Sequence, residues 1–369
     1  MVLHKHIGFL RLGALLMLTI GCVFQSKAQS VFKGYENLFT TPLHYTTVFS
    51  PQAPVIDGNL QDEMWAKAVW SPSFLDIEGS GKAIPKMNTR MKMMWNDTHL
   101  FIAAELEETD LSAIFKKHDQ VVYHDNDFEL FIDPDNNTHQ YFEIEVNAFN
   151  TIFDLFLSKP YRNNGAALIG WDVAGLRSAV KMKGTLNNPN DKDQGWTVEM
   201  AIPLKALSTG NDVKVPVNGD FWRINFSRVE WDMDVRNGKY VKRLDVNGKP
   251  LPEHNWVWSP PGVINMHYPE RWGYLQFAKD ASSLPEFSIP YSELQRQYLW
   301  LIYYKQKEFF GKNKKYATNL SVLGFKDSIV HIDGKLNKLK MEVTSAQFTA
   351  TINDQEKKEI KINDEGLVI

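Results

Sequence analysis

His124-Asp-Asn-Asp-Phe-Glu-Leu-Phe-Ile-Asp-Pro-Asp135 is followed at once by Tyr141-Phe-Glu-Ile-Glu-Val-Asn147, and both alternate polar with apolar residues at a period of two. That period is the signature of a half-buried β-strand. Phe128, Leu130 and Ile132 would face one way, joined by Phe142, Ile144 and Val146 on the second strand. The opposite face then carries Asp127, Glu129, Glu143, Glu145 and Asn147, with Phe131 as its apolar exception. Like charges on neighbouring strands repel, so such a surface needs a cation, an arginine or a polyhydroxylated ligand to settle it.

Outward from this pair, short strand patterns punctuated by Pro, Gly, Asn and Asp continue in both directions. Arg90–Trp95, His99–Leu106, Ile152–Leu157, Trp196–Ile202, Trp222–Val229 and Gly273–Ala278 all fit, and a short helix near Asn59 would place Leu60, Met64 and Trp65 on one face. Many short strands with turn signals between them predict an all-β fold, a two-sheet β-sandwich of immunoglobulin or jelly-roll type, over residues 46–278. Residues 285–369 read as a small C-terminal α+β appendage. It follows a Ser282–Glu286 link and begins with a helix from Tyr291 to Phe310, whose apolar stripe is Leu294, Tyr298, Leu301, Ile302 and Phe309. Gly311 and Lys312 suit the helix end.

The remaining bounds are restrictive. A basic start, an apolar run to about Phe24 and the small-residue pattern Ser26-Lys-Ala28 predict a signal segment over residues 1–28, so an exported protein is expected, periplasmic, at the cell surface or extracellular. The only cysteine, Cys22, lies inside that segment. Leu18-Thr-Ile-Gly-Cys22 fits a lipoprotein signal poorly, so export without a lipid anchor is expected. A mature chain without cysteine has neither disulfides nor thiol catalysis. The formal net charge of −3 leaves no basic excess for nucleic acid.

The carboxylate face allows three readings. Paired acids could hydrolyse a glycosidic bond, with two of Asp127, Glu129, Glu143 and Glu145 as acid and base. Asp133, Asp135 and Asn137 offer oxygens at alternate positions for a structural calcium ion, although Thr138 and Ile144 depart from an EF-hand loop. Carboxylates and amides could instead read sugar hydroxyls, beside aromatic rings that stack on a pyranose face. Among the eleven tryptophans, Trp171 and Trp231 lie in turn-rich segments with Tyr123, which makes these three the candidate platforms. The plain alternative is a solvated face balanced by Arg90, Lys92 and Arg228. No histidine pair has zinc-ligand spacing, and no nucleophile elbow, phosphate loop or dinucleotide fingerprint is found.

Five blocks occur in an order that resembles the family 9 carbohydrate-binding modules. They are Val55-Ile-Asp-Gly-Asn-Leu-Gln-Asp-Glu-Met-Trp65, Met93–Ile102, Asp127–Asp133, Gly195–Pro203, and Trp258-Ser-Pro with His267-Tyr-Pro-Glu-Arg-Trp-Gly273. The resemblance covers about Pro54 to Phe277. It implies a non-catalytic sandwich that holds sugars between two aromatic rings, with calcium nearby. By position, Glu129 matches a sugar-contacting glutamate and Tyr123 the first ring. Glu145 stands where sugar-binding members tend to have arginine, and Met266 lies near the expected second ring, which Trp171 or Trp231 would then replace. The expectation is carbohydrate binding in an exported polysaccharide-degrading system, with Tyr123 and Trp171 stacking and Glu129, Glu143, Glu145, Asn147 and Arg90 reading hydroxyls. A glycoside hydrolase is the first alternative. The second is an envelope module whose C-terminal helix docks a protein partner.

Overall fold

The computed structural model describes residues 31–209, 213–280, 286–356 and 358–369. The signal segment, Cys22 and most of the Ser282–Glu286 link lie outside the described residues. Every strand expected between 90 and 278 forms, most with the expected ends. One ladder runs from Ala167–Leu168 through Ile152–Leu157, Tyr141–Asn147, Asp127–Asp133, Phe221–Glu230 and Gly273–Ala278 to His44–Phe49. It then continues through Thr89–Trp95, His99–Leu106 and Gly195–Pro203 to Arg177–Lys183. Strand His44–Phe49 is the joint: it pairs in parallel with Gly273–Ala278 from His44 to Val48, then with Thr89–Trp95 at Val48 and Phe49. On either side of this joint the ladder folds over into the two layers of a sandwich.

Alternation explains the core between the layers. Phe128, Leu130, Ile132, Phe142, Ile144, Val146, Ile224 and Phe226 meet Met91, Met93, Ile102, Val198 and Met200 from the opposite layer, all fully buried. Each such side chain contributes roughly 1.5–3 kcal/mol by leaving water. The segment Val55–Trp65 is pinned to the outside of the second layer by one side chain. Glu199 accepts hydrogen bonds from the amides of Asp57 (3.0 Å) and Gly58 (2.7 Å) and from the Trp65 indole (2.5 Å). Gly58 has φ +80, and a Cβ there would come within 2.8 Å of the Lys181 amide nitrogen, so only glycine fits. The expected helix near Asn59 is a 3-10 turn, Glu63–Lys67, capped by Asp62.

One expectation fails in an informative way. Strands Asp127–Asp133 and Tyr141–Asn147 are buried on both faces rather than half-buried. Their outer side is covered by a second apolar cluster built from Phe131, Tyr141, Phe153, Leu155, Val257, Met266 and Trp272. Loops and the short strand His254–Val257 supply that cover, which the strand period cannot foretell.

The C-terminal unit is a helix, Tyr291–Asn313, packed on a four-stranded sheet. The helix passes through Gly311 and ends at Lys314, which takes the left-handed conformation (φ 55). It is joined to the sandwich by a buried Arg223–Glu293 ion pair, by Tyr303 donating to Asn163 (2.6 Å) and by Arg296 donating to the Asn136 carbonyl (2.6 Å). Its apolar stripe packs against its own sheet and against Phe32, Leu38 and Phe39. The helix therefore presents no continuous apolar face for the docking partner that the pattern suggested.

Candidate functional site

Register places the acids. Across the Asp127–Asp133 and Tyr141–Asn147 pair, Asp127 opposes Asn147, Glu129 opposes Glu145 and Phe131 opposes Glu143. Two glutamates directly opposite one another on the same face are destabilising unless something compensates them. Asp127, Glu129 and Glu145 bring carboxylate oxygens within 4.8 Å of one another. Above them lies an open recess of about 570 Å³, with Glu129, Glu143 and Glu145 on its floor. Tyr123 (37 % exposed) and Tyr161 (43 % exposed) stand at its edge, with Glu253, Asn255, Asn265, Met266 and His267 completing the wall.

Burial governs the electrostatics. Asp127, Glu143 and Glu145 are pushed well above the ordinary carboxylate range, first by desolvation and then by the neighbouring Glu129. Glu129 is raised by burial to about 7, with a hydrogen bond to Ser227 pulling the other way and Glu253 adding to the rise. His267 is pushed down to about 4 by burial, and Arg162 adds to the drop, so its ring is neutral at physiological pH. Its Nδ1 lies 2.9 Å from the Tyr141 hydroxyl, and the Tyr161 ring meets the imidazole edge-on at 4.5 Å. The Tyr123 amide donates to Glu145 (2.9 Å), which fixes the first ring relative to the floor.

The structure thus brings Tyr123, Glu129, Glu143 and Glu145 together, with Asp127 beside Glu129. The other candidates go elsewhere, each for a visible reason. Arg90 belongs to the opposite layer. There it bonds Glu105 (2.9 Å), lies 4.4 Å over the Trp70 ring and borders a separate recess of about 340 Å³. Trp171 points into the sandwich core, 4.8 Å from Phe142, with its indole donating to Thr209. Trp231 is nearly buried, donates to the Tyr123 carbonyl (2.9 Å) and carries Lys242 on its face, so it buttresses the first ring rather than forming the second. Asn147 is fully buried and fully used: it donates to Asp125 and to the Phe115 carbonyl, and accepts from Phe149 and Thr151.

Asp133, Asp135 and Asn137, the expected calcium ligands, cap their own loop. Asp133 accepts from the amides of Asn136 (3.0 Å) and Thr138 (2.8 Å), Asp135 accepts from Asn137, and Asn137 accepts from His139. These bonds help to hold the positive-φ residues Asn136 and Thr138, which also bond the Phe221 and Gly366 carbonyls.

Sequence reading missed Tyr161, Glu253 and His267. The Pro160-Tyr161 turn after a strand was the available signal for the ring. The others arrive through long loops that carry no pattern. It also missed a second cluster, where His118 Nε2 lies 2.7 Å from Asp172, 3.4 Å from Asp119 and 3.6 Å from Asp154. Asp154 and Asp172 lie far along the chain from His118 and Asp119, so ligand spacing could not reveal the cluster.

With the geometry described, comparison with known proteins adds the following. The family model described as "Carbohydrate family 9 binding domain-like" matches residues 56–249. An exoglucanase, XynX, from Acetivibrio thermocellus is 22% identical over 324 residues, which is 80% of this chain and 27% of that protein. An endo-1,4-beta-xylanase A from Thermoanaerobacterium saccharolyticum is 25% identical over 209 residues, 57% of this chain and 14% of that protein. The chain therefore corresponds to a minor part of each of these enzymes. A family 9 carbohydrate-binding module from Caldicellulosiruptor kristjanssonii, solved with cellotriose, aligns over 67% of this chain and 100% of its own at 17% identity and a TM-score of 0.39. Its glucose complex aligns over 65% and 98% at the same identity and TM-score.

Proposed function

This chain belongs to the carbohydrate family 9 binding domain-like family, and on that premise we propose that the recess beneath Tyr123 and Tyr161 is a non-catalytic saccharide-binding site. The observation that supports it most is the coincidence of hydrogen-bonding acids with partly exposed tyrosines in one open recess of about 570 Å³. That volume lies within the roughly 300–1,000 Å³ typical of small-ligand sites. A tyrosine face can cover the apolar side of a pyranose while Glu129, Glu143 and Glu145 meet its hydroxyls. The curated relatives are saccharide-degrading enzymes by name, and the role proposed here is accessory: holding an exported protein on the glycan being degraded. The leader over residues 1–28 would direct that export, and the N-terminus of the secreted protein would test it.

Isothermal calorimetry over cello-, xylo- and amino-oligosaccharides tests the binding site. Binding should be detectable and should weaken at least tenfold in Glu129→Ala. No heat with any sugar, or equal affinity in the variant, would overturn the reading. The same preparations should leave aryl glycosides intact. Turnover abolished by Glu143→Gln would instead establish the hydrolase.

A further inference from the structure

Resting on the saccharide-binding reading, we infer that the sugar taken by this recess carries a protonated amine. The recess gathers acids that a bound cation would ionise. Glu129, Glu143 and Glu145 lie on the floor and Glu253 on the wall, while the lining residues include no lysine and no arginine. His267, the one titratable nitrogen in the lining, is half-buried and lies close to Arg162. The nearby cations are already engaged. Arg162 bonds Glu270 (2.8 Å) and the His267 carbonyl (3.0 Å), Arg228 bonds Glu108 (3.0 Å) and Glu230 (2.8 Å), and Lys242 lies on the Trp231 ring.

A second observation points the same way. Asp127, fully buried beside Glu129 on the same strand face, has an Oδ2 without a hydrogen-bond partner. Its carboxylate closes a triangle with those of Glu129 and Glu145 in which the oxygens lie within 4.8 Å of one another. An acceptor left unsatisfied at such depth is costly.

A neutral sugar supplies hydroxyl donors but no charge, and a uronic acid would add to the repulsion. A primary ammonium supplies one positive charge and three N–H donors, which matches a triangle of carboxylate acceptors. The size and walls of the recess favour a ring that carries this group over a bare ion. A single cation occupies a small part of about 570 Å³, whereas Tyr123 and Tyr161 can cover a pyranose and attract an adjacent cation with their faces.

The test is calorimetry on the full chain in EDTA with three ligands of equal length: a glucosamine oligomer, its N-acetylated counterpart and a cello-oligosaccharide. The amine form should bind at least about tenfold more tightly than either neutral form, the scale set by one charge-assisted contact. In Glu145→Gln, which removes one acid that a bound ammonium would ionise, that ratio should fall below about threefold. If Glu145→Gln does not fold, Glu253→Gln at the wall should lower the same ratio. Equal affinity for amine and neutral oligomers overturns the inference and leaves the saccharide site standing, whereas no binding by any of the three overturns both. Binding that appears only when calcium replaces EDTA overturns it as well, since the positive charge would then belong to the ion. A linear diamine that binds as tightly as the glucosamine oligomer also overturns it, because the ring would contribute nothing.

Discussion

The two layers of the sandwich each carry acids on their outer side, and the two sets follow opposite rules. On the second layer, cations accompany acids. Arg90 bonds Glu105, Lys183 approaches the same carboxylate at 3.3 Å, and Lys92 lies 4.5 Å over the Trp70 ring. On the first layer, Glu129, Glu143 and Glu145 share a recess with no lysine or arginine in its lining. The sequence shows acids in both places, but the partners are set by which layer each strand joins. A balanced face is complete in itself, whereas an unbalanced one is poised for something the chain does not contain.

Four measurements would break or sharpen this contrast. The largest effect is expected at the seam between the layers. There Arg228, 1 % exposed, bonds Thr89, the Glu107 carbonyl, Glu108 and Glu230. Arg228→Met strips two buried carboxylates of their cation and should lower stability by about 3–5 kcal/mol in urea unfolding. A loss under about 1 kcal/mol would mean that compensation matters little in this molecule. Next, Tyr161→Ala should weaken saccharide binding by about 2 kcal/mol, the scale of a central aromatic contact, with the melting curve nearly unchanged. Unaltered affinity would move the ligand away from the first layer.

The third concerns pH. Burial lifts Glu129 from 4.5 to about 7, so between those values the folded chain keeps a proton that the unfolded chain has released. Stability therefore falls as pH rises through that window. Glu129→Gln should match the parent near pH 4 and exceed it at pH 8 by about 3 kcal/mol. A parent stability that rises between pH 5 and 7 would contradict the uncompensated floor. The smallest effect belongs to the balanced face. Arg90→Ala removes a half-exposed ion pair and should cost under about 1 kcal/mol, with saccharide affinity unchanged in calorimetry.

Alternation along each strand was enough to read the fold and to say which side chains share a face. Phe128, Leu130 and Ile132 point inward, and Asp127 and Glu129 point outward, as the pattern required. Which faces meet is a matter of topology, and there the reading erred: Arg90 was assigned to a face in the other layer, and Trp171 to a surface when it fills the core beside Phe142. The strand Arg177–Lys183 passed unnoticed because it is an edge strand with few buried residues and little alternation. His44–Phe49 passed unnoticed because its neighbours lie at the far end of the domain. Tyr161 and His267 reach the recess through turns whose course depends on packing, so no local period marks them. Asp133, Asp135 and Asn137 cap their own loop, a task that draws on the same short acidic and amide residues as cation binding.

The joining strand His44–Phe49 carries a consequence for the order of assembly. Its main ladder partner is the last strand of the domain, and Thr46 meets Gln276 across 230 residues of sequence. Closure of so long a loop is entropically slow, which places this domain among high-contact-order folders. The two layers cannot be locked together until Gly273–Ala278 has been synthesised, so a nascent chain cut short of that strand should remain open to protease. A chain stopped after Ala278 should acquire resistance over the sandwich.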